Sequence, residues 1–500
     1  MAKDVVEALQ PQPLWSLFKQ LSEIPRPSKH EEQVLNFLKN FAKEHQLSYK
    51  QDDTGNLVIL RPGSGGGESA PTIVIQGHVD MVTEKNSSVV HDFNKDPLKL
   101  VRNGDWLKAD GTTLGADNGI GVCAALALLT SPPTAKLPPL ECLFTVDEET
   151  GLTGAFQLDG SIVTGRTMLN LDTEDWGEIF IGCAGGGDSL LTLPLEQEPC
   201  SFAGQQPLQL TITGLMGGHS GLNIGEGRGN AILMAVQVLQ AVLGKVEEAR
   251  LMMISGGDKR NALARECRAA LTVPIAQKEL AKAVASQQIR AIKQDYQNEA
   301  SISASLVEAS QGQTPQAVLT LQSQQRLLKL LQQLPHGAIK YSEAVPGLVE
   351  TSSNLAAVSP AASSSSSQVE YQIICSTRSS IGPELEKVRA QIAAAAQEAG
   401  ANAKQDEAYP GWNPDPSSKV LQVVKQVFVE ILGKEPKVGA IHAGLECGII
   451  GERCNGMDMV SFGPTIKGAH SPDEAVNILT VEPFWNATLE VLKRLAEVEC

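Results

Sequence analysis

Three short apolar runs early in the chain end alike, in side chains that bind protons or metals, and few folds accommodate that pattern. Residues 72–77 lead into His78 and Asp80, residues 140–146 into Asp147, Glu148 and Glu149, and residues 168–171 into Asp172 and Glu174. Each run has the length of a strand. Between the first two, Asp117 stands at the entrance of residues 122–130, small and apolar, which read as a helix buried on every side. Strands alternating with helices, each releasing acids at its carboxyl end, predict an α/β fold on an open sheet, with a site outside those ends. Side chains alternate along a strand, so His78 and Asp80 point the same way, an imidazole beside a carboxylate able to orient it.

The 500 residues are too many for one core, and at roughly 150 residues per domain about two to four domains are expected. A formal charge of −16 speaks against nucleic acid or a membrane surface as a partner, since either needs a basic face. Asp4 and Glu7 stand where a secretory signal has its apolar centre, and no apolar run approaches the ~20 residues of a membrane span. A cytoplasmic protein is expected. The nine cysteines lack Cys-x-x-Cys spacing and read as buried reduced thiols. Cys447 and Cys454 are near enough to suggest a pair, but a reducing compartment favours free thiols.

Two helices over residues 14–45 precede the first strands, and Ser28 with Glu31 three residues on predicts a capping box for the second. From about Asp188 the texture changes. Alternating segments such as 208–213 and 301–307 predict half-exposed antiparallel strands, interleaved with amphipathic helices over 231–243, 277–299 and 315–334. Residues 363–367, all serine, read as an exposed hairpin loop. After residues 409–416 the α/β texture resumes, and it closes with a loop carrying His470 that opens into a helix. The expected organisation is a first domain, a mixed sheet flanked by helices, in two parts (1–187 and 405–500), with an α+β domain (188–404) inserted between them.

His78, Asp117, Glu148 with Glu149, Asp172 and His470 thus fall at strand ends or loops of one domain. Several carboxylates at one sheet edge repel one another unless a cation is present. Two zinc ions would bring about four positive charges to meet roughly three carboxylates and a hydroxide. That balance is near neutral, as a buried site requires.

The segments around Gly77-His78-Val79-Asp80, Gly115-Ala116-Asp117-Asn118-Gly119, Asp147-Glu148-Glu149 and Asn170-Leu171-Asp172-Thr173-Glu174 are similar to the motifs of the M20 metallopeptidases. More narrowly, His442-Ala443-Gly444-Leu445-Glu446 and Ala469-His470-Ser471-Pro472 resemble the aminoacyl-histidine dipeptidase (peptidase D) subgroup, and the resemblance runs in order over nearly the whole chain. It implies a zinc-peptidase-like catalytic domain with an inserted α+β lid and dimerisation domain. It implies that His78 and Asp172 hold one zinc, that Glu149 and His470 hold a second, and that Asp117 bridges both, with manganese or cobalt suiting the same ligands. Asp80 then orients His78, Glu148 is the general base acting on a water that the two metals acidify, and the Asp117–Asn118 peptide bond is cis.

In the inserted domain, Met216-Gly217-Gly218-His219-Ser220-Gly221 resembles the lid-histidine motif of that family, which makes His219 the donor to a tetrahedral oxyanion, in its own subunit or its partner's. Arg378 can fork onto a free C-terminal carboxylate, and Asn261 can bond the peptide carbonyl or that carboxylate. The implied activity is hydrolysis of Xaa-His, β-alanyl-histidine-like and other dipeptides by a homodimer paired through the lid. An N-acyl amino acid amidohydrolase, or another M20-type aminoacylase or carboxypeptidase, would use the same centre. A binding protein without catalysis would bind metal too, but it has no use for a base such as Glu148.

Overall fold

The computed structural model describes residues 5–309, 315–361 and 367–497, and by its contacts the chain separates into two compact units. The first comprises residues 1–183, 412–440 and 445–500, the second residues 184–411 with 441–444.

The first unit is built on the strand Ile73–His78, whose six residues are all buried. A strand covered on both faces is apolar throughout rather than alternating, which is why its sequence reads as one run. In its sheet the strands lie in the order Ser48–Gln51, Leu57–Arg61, Leu140–Thr145, Ile73–His78, Thr167–Asn170, Asp458–Ser461, Glu178–Cys183 and Lys437–Ile441. The middle four of these run parallel, so the residues that follow them emerge along one edge. Leu57–Arg61 and Glu178–Cys183 run antiparallel to their inner neighbours, which makes the sheet mixed. The helix Ala116–Leu129 is buried along its whole length. It packs on Ile73–His78 and on the helix Gln12–Ser22, whose Leu14, Trp15, Phe18 and Leu21 face inward.

The predicted capping box does not form. The helix Glu32–Glu44 has Glu31 at its cap position and no side-chain cap bond. Ser28 Oγ instead donates to Asp80 Oδ2 at 2.7 Å, and Glu31 Oε1 accepts from the backbone N–H groups of Lys29 and Asp147 at 2.8 and 3.0 Å. Both side chains answer distant acid-bearing loops, a demand that local spacing does not carry. The segment around His470 also differs from the expected loop and helix: Ile466–Lys467 and Ala475–Asn477, on either side of it, pair as a short hairpin before the helix Ile478–Leu495 begins.

The second unit is an antiparallel sheet in the order Ser303–Glu308, Gln205–Thr213, Cys267–Pro274, Arg250–Gly257, Val349–Pro360, Gln368–Ser379, Gly185–Pro199 and Ala317–Leu319. Helices Ala231–Leu243, Lys278–Asp295, Leu321–Gln333 and Gly382–Ala399 accompany it, and a shared apolar core joins Leu191, Leu210, Leu239, Ile289, Leu327 and Ile392. The helix expected over 315–334 starts later, because Ala317–Leu319 is drawn into the sheet edge beside residues 197–199 and Thr320 caps the helix through Ser323 N–H. Of the serine tract, residues 363–366 lie outside the described residues. The described cysteines, Cys447 and Cys454 among them, are free thiols. No helix of the described residues is long and apolar enough to cross a membrane.

Asn230 joins two of these elements. Its Oδ1 accepts from Ile232 and Leu233 N–H, capping the helix Ala231–Leu243, while its Nδ2 donates to Leu355 O at 2.8 Å. Asn230→Ala loses about 1 kcal/mol of capping, and losing the bond to Leu355 O costs about 0.5–1.5 kcal/mol more. Calorimetric unfolding of this variant is expected at lower temperature than that of the unaltered chain, and an unchanged profile refutes the assignment.

Candidate metal centre

His78 is the last residue of its strand and 1% exposed. Two residues on, Asp80 is fully buried. Its Oδ1 lies 3.4 Å from His78 Nδ1, and its carboxylate accepts from Ser28 Oγ and from the N–H groups of Glu148 and Glu149 at 3.0 and 3.2 Å. One carboxylate therefore orients the imidazole and also holds the chain at the end of Leu140–Thr145. Asp147 supports the same bend, adopting a left-handed φ of 49° that few residues other than glycine take. Burial raises the Asp80 pKa, but its bonds with His78, Ser28 and Glu148 outweigh that and hold it down at about 2.

Around His78 Nε2 lie Asp117 Oδ1 at 3.0 Å and Asp172 Oδ1 at 3.4 Å. The other oxygen of Asp117 lies 3.3 Å from His470 Nε2, and Glu149 Oε2 lies 2.9 Å from the same nitrogen. Three sets of ligand atoms, His78 with Asp117 and Asp172, Asp117 with Glu149 and His470, and His78 with Glu148 and Glu149, each fall within 4.8 Å of one another. Asp117 belongs to two of these sets. The structure thus brings together His78, Asp117, Glu148, Glu149, Asp172 and His470 from five separate stretches of the centre's own unit. His470 is the exposed member, its side chain 55% accessible and its φ positive at 62°.

These acids oppose one another. Burial pushes Asp172 up to about 7, with Asp117 and Glu149 adding to the shift against the pull of His78. Burial likewise raises Glu148 well above the usual carboxylate range, opposed by His78 and reinforced by Asp172, Glu446 and Glu149. Glu174 is pushed to about 8 by burial and by Asp117 and Asp172. His470 is raised to about 11 by its bonds to Asp117 and Glu149. Buried Glu149 Oε1 and Asp172 Oδ1 have no hydrogen-bond donor. Imidazoles and carboxylates at this spacing, with buried oxygens lacking donors, are the donor set that a divalent cation takes.

The loop carrying Asp117 is held by a residue that sequence reasoning missed. Glu474, 2% exposed, accepts four backbone N–H groups: Leu114 and Gly115 on Oε2 at 2.7 and 2.9 Å, Ala116 and Asp117 on Oε1 at 2.7 and 3.3 Å. It satisfies the amides at the start of Ala116–Leu129 that the helix itself cannot. Arg26, buried in the same place, donates to Val79 O, Asp80 O and Gly115 O. The Asp117–Asn118 bond is cis, and Asn118 Nδ2 donates to Leu171 O at 2.6 Å. A signal for Glu474 was present in its place four residues after His470, but its partners are far away in sequence.

His219, Asn261 and Arg378 lie in the second unit. His219 Nδ1 accepts from the N–H groups of Gly221 and Leu222, both at 3.2 Å, so the ring proton is on Nε2. Burial and the Arg378 charge lower its pKa, in keeping with a ring whose Nδ1 accepts. Buried Arg378 donates to Tyr409 Oη at 3.1 Å and leaves its Nε without a partner. Asn261 is exposed, on a loop whose carbonyls at Arg260 and Ala262 are held by Asn354 Nδ2. His442, in the narrower of the C-terminal motifs, has a structural setting of its own. It is buried, bonded to Ser352 Oγ at 2.8 Å, and pressed down to about 3 by burial, Arg378 and His219.

Residues 74–497 match the model of peptidase family M20/M25/M40. The cytosol non-specific dipeptidase of Escherichia coli (strain K12) is 39% identical over 489 residues, 97% of this chain and 98% of that protein. The crystal structure of aminoacylhistidine dipeptidase from Vibrio alginolyticus superposes with a TM-score of 0.90 at 37% identity, covering 98% of each chain. Aminopeptidase PepT from Bacillus cereus, at 16% identity and a TM-score of 0.55, shares the fold.

Glu474→Gln tests the frame around Asp117. It sets an amide NH2 against backbone N–H groups that need an acceptor. Loss of a group that orients a ligand costs about 10–100-fold in metal affinity. Titration of the metal-free protein with Zn2+ is expected to show a loss in that range with the chain still folded, and unaltered affinity refutes the role.

Proposed function

The chain belongs to peptidase family M20/M25/M40, and from that premise we propose that it is a metal-dependent dipeptidase with a two-ion centre, zinc first and manganese or cobalt as substitutes. The convergence of His78, Asp117, Glu149, Asp172 and His470 carries this reading. His78 and Asp172 would hold one ion, Glu149 and His470 the other, with Asp117 shared between them. The ions supply a Lewis acid for the scissile carbonyl and lower the pKa of the water nucleophile.

The chain's own residues do the rest. Glu148 lies beside the ligands without being needed among them, and burial raises its affinity for a proton. It takes the proton of the attacking water and returns it to the leaving amine. Asp80 holds Glu148 and Glu149 by their backbone N–H groups, so the base and a ligand are set by one carboxylate. Neutral His219, with its proton on Nε2, donates to the oxyanion as charge develops there. Arg378, whose buried Nε lacks a partner, pairs with the terminal carboxylate of the substrate. Asn261 bonds the peptide carbonyl or that carboxylate. The substrates we assign are Xaa-His and other dipeptides, on the strength of two relatives named as dipeptidases that align with nearly the whole chain. The same reading makes the protein a cytoplasmic homodimer joined through its second unit, which light scattering tests.

A panel of dipeptides, assayed beside N-acetyl amino acids with and without a chelator, decides the substrate class. Dipeptide cleavage that stops on chelation and returns with Zn2+ is expected. Preference for the N-acetyl compounds overturns the dipeptidase reading in favour of an amidohydrolase. Glu148→Ala is expected to retain both ions, measured by elemental analysis, while kcat falls by about 10²–10⁴. A variant with near-normal kcat removes Glu148 from its role.

A further inference from the structure

Glu446 has no part in the chemistry above, yet it is fully buried beneath the ligands. Its Oε2 accepts from Gln76 Nε2 at 2.6 Å and from Thr145 Oγ1 at 2.7 Å, while its Oε1 meets no donor. Gln76 lies two residues before His78, and Asn170 two before Asp172. Gln76 and Asn170 are register partners on adjacent parallel strands, as are Asn170 and Ser461. Because side chains alternate, these residues form a polar row on the ligand face of the sheet, one step deeper than the ligands themselves.

The row is bonded in one direction. Gln76 Oε1 accepts from Asn170 Nδ2 at 2.5 Å, and Asn170 Oδ1 accepts from Ser461 Oγ and from the Asp172 backbone N–H, the latter at 3.3 Å. A side-chain amide donates at one end and accepts at the other, so each amide here inherits its orientation from its neighbour. Glu446 Oε2 faces two donors, Gln76 Nε2 and Thr145 Oγ1, and so stands in the row as an acceptor. Glu446 therefore turns the Gln76 NH2 toward itself and the Gln76 oxygen toward Asn170. Asn170 then gives its own NH2 to Gln76 and keeps its oxygen for Asp172.

We propose that Glu446 is a positioning residue: it sets the direction of this row and, through Gln76 and Asn170, fixes the backbone of Asp172 for metal binding. The proposal rests on the assignment of His78 and Asp172 to a metal.

The test follows Co2+ binding by its absorption spectrum in the whole protein, with thermal unfolding and dipeptide kinetics on the same samples. In Glu446→Gln the new amide can present its NH2 to Gln76, reversing both amides and placing the Asn170 NH2 against the Asp172 N–H. Affinity for one of the two ions is expected to fall by about 10-fold or more. The expected kinetic change is a lower kcat with KM and thermal stability little changed. Combining Glu446→Gln with Gln76→Glu moves the carboxylate one place along the row. Asn170 Nδ2 keeps an acceptor and Asp172 keeps its oxygen, so Co2+ affinity and kcat are expected to return to near those of the unaltered chain. If Glu446→Gln alone folds too poorly to titrate, the exchanged pair still decides, since it is expected to fold and bind two Co2+ ions. An exchanged pair that does not recover binding overturns the proposal, as does a folded Glu446→Gln that binds Co2+ normally. An unaltered protein that takes up no Co2+ overturns the metal assignment and this proposal with it, whereas the other failures leave that assignment standing.

Discussion

Asp117, Glu148, Glu149, Asp172 and Glu174 crowd the edge on which the parallel strands of one mixed sheet end, and their mutual repulsion is the force that the surrounding structure is built to contain. Two like charges about 4 Å apart at a protein surface repel by about 4 kcal/mol. Several such pairs would drive the loops apart if only their own side chains held them. Burial first, and the neighbouring acids after it, raise Asp172, Glu148 and Glu174, and His78 and His470, set between the acids, are where opposite charge enters.

Containment comes from the backbone. Asp80 grips the amides of Glu148 and Glu149, Glu31 grips that of Asp147, and Glu474 grips four amides around Asp117. These carboxylates spend their charge on N–H dipoles, which leaves the inner acids free to face one another. Two tiers of acids result, an outer one that binds protein and an inner one that the proposed function gives to metal. The rigidity of the inner tier depends on the outer, because a carboxylate bonded to two or more amides fixes the loop it holds as well as itself.

How much of this the sequence discloses depends on distance along the chain. The strand ends carrying His78, Glu148 with Glu149, and Asp172 are legible because an apolar run and its terminal acids are neighbours. The burial of Ala116–Leu129 is legible for the same reason, as its composition alone states it. Glu474 is not, since it meets Leu114 across 360 positions. Ser28 and Glu31 fit a local capping pattern, yet both are taken by partners brought near only in the folded chain. The short strand Ala317–Leu319 was hidden inside a helical period because pairing with a sheet edge overrides local preference. Glu446 stood in a conspicuous motif, but its purpose appears only when the strands of Gln76, Asn170 and Ser461 lie side by side.

The placement of Glu474 four residues after His470 gives that short loop the character of a ruler. Its first mark is an imidazole facing Asp117 and Glu149 from the open side, and its last is a carboxylate seated under the amides of the Asp117 loop. Both marks are read against the same aspartate, so the length between them is as constrained as the residues at its ends. A residue inserted within 471–473 would displace either the ring or the carboxylate. Chain length is therefore fixed in this loop, whatever residues fill it.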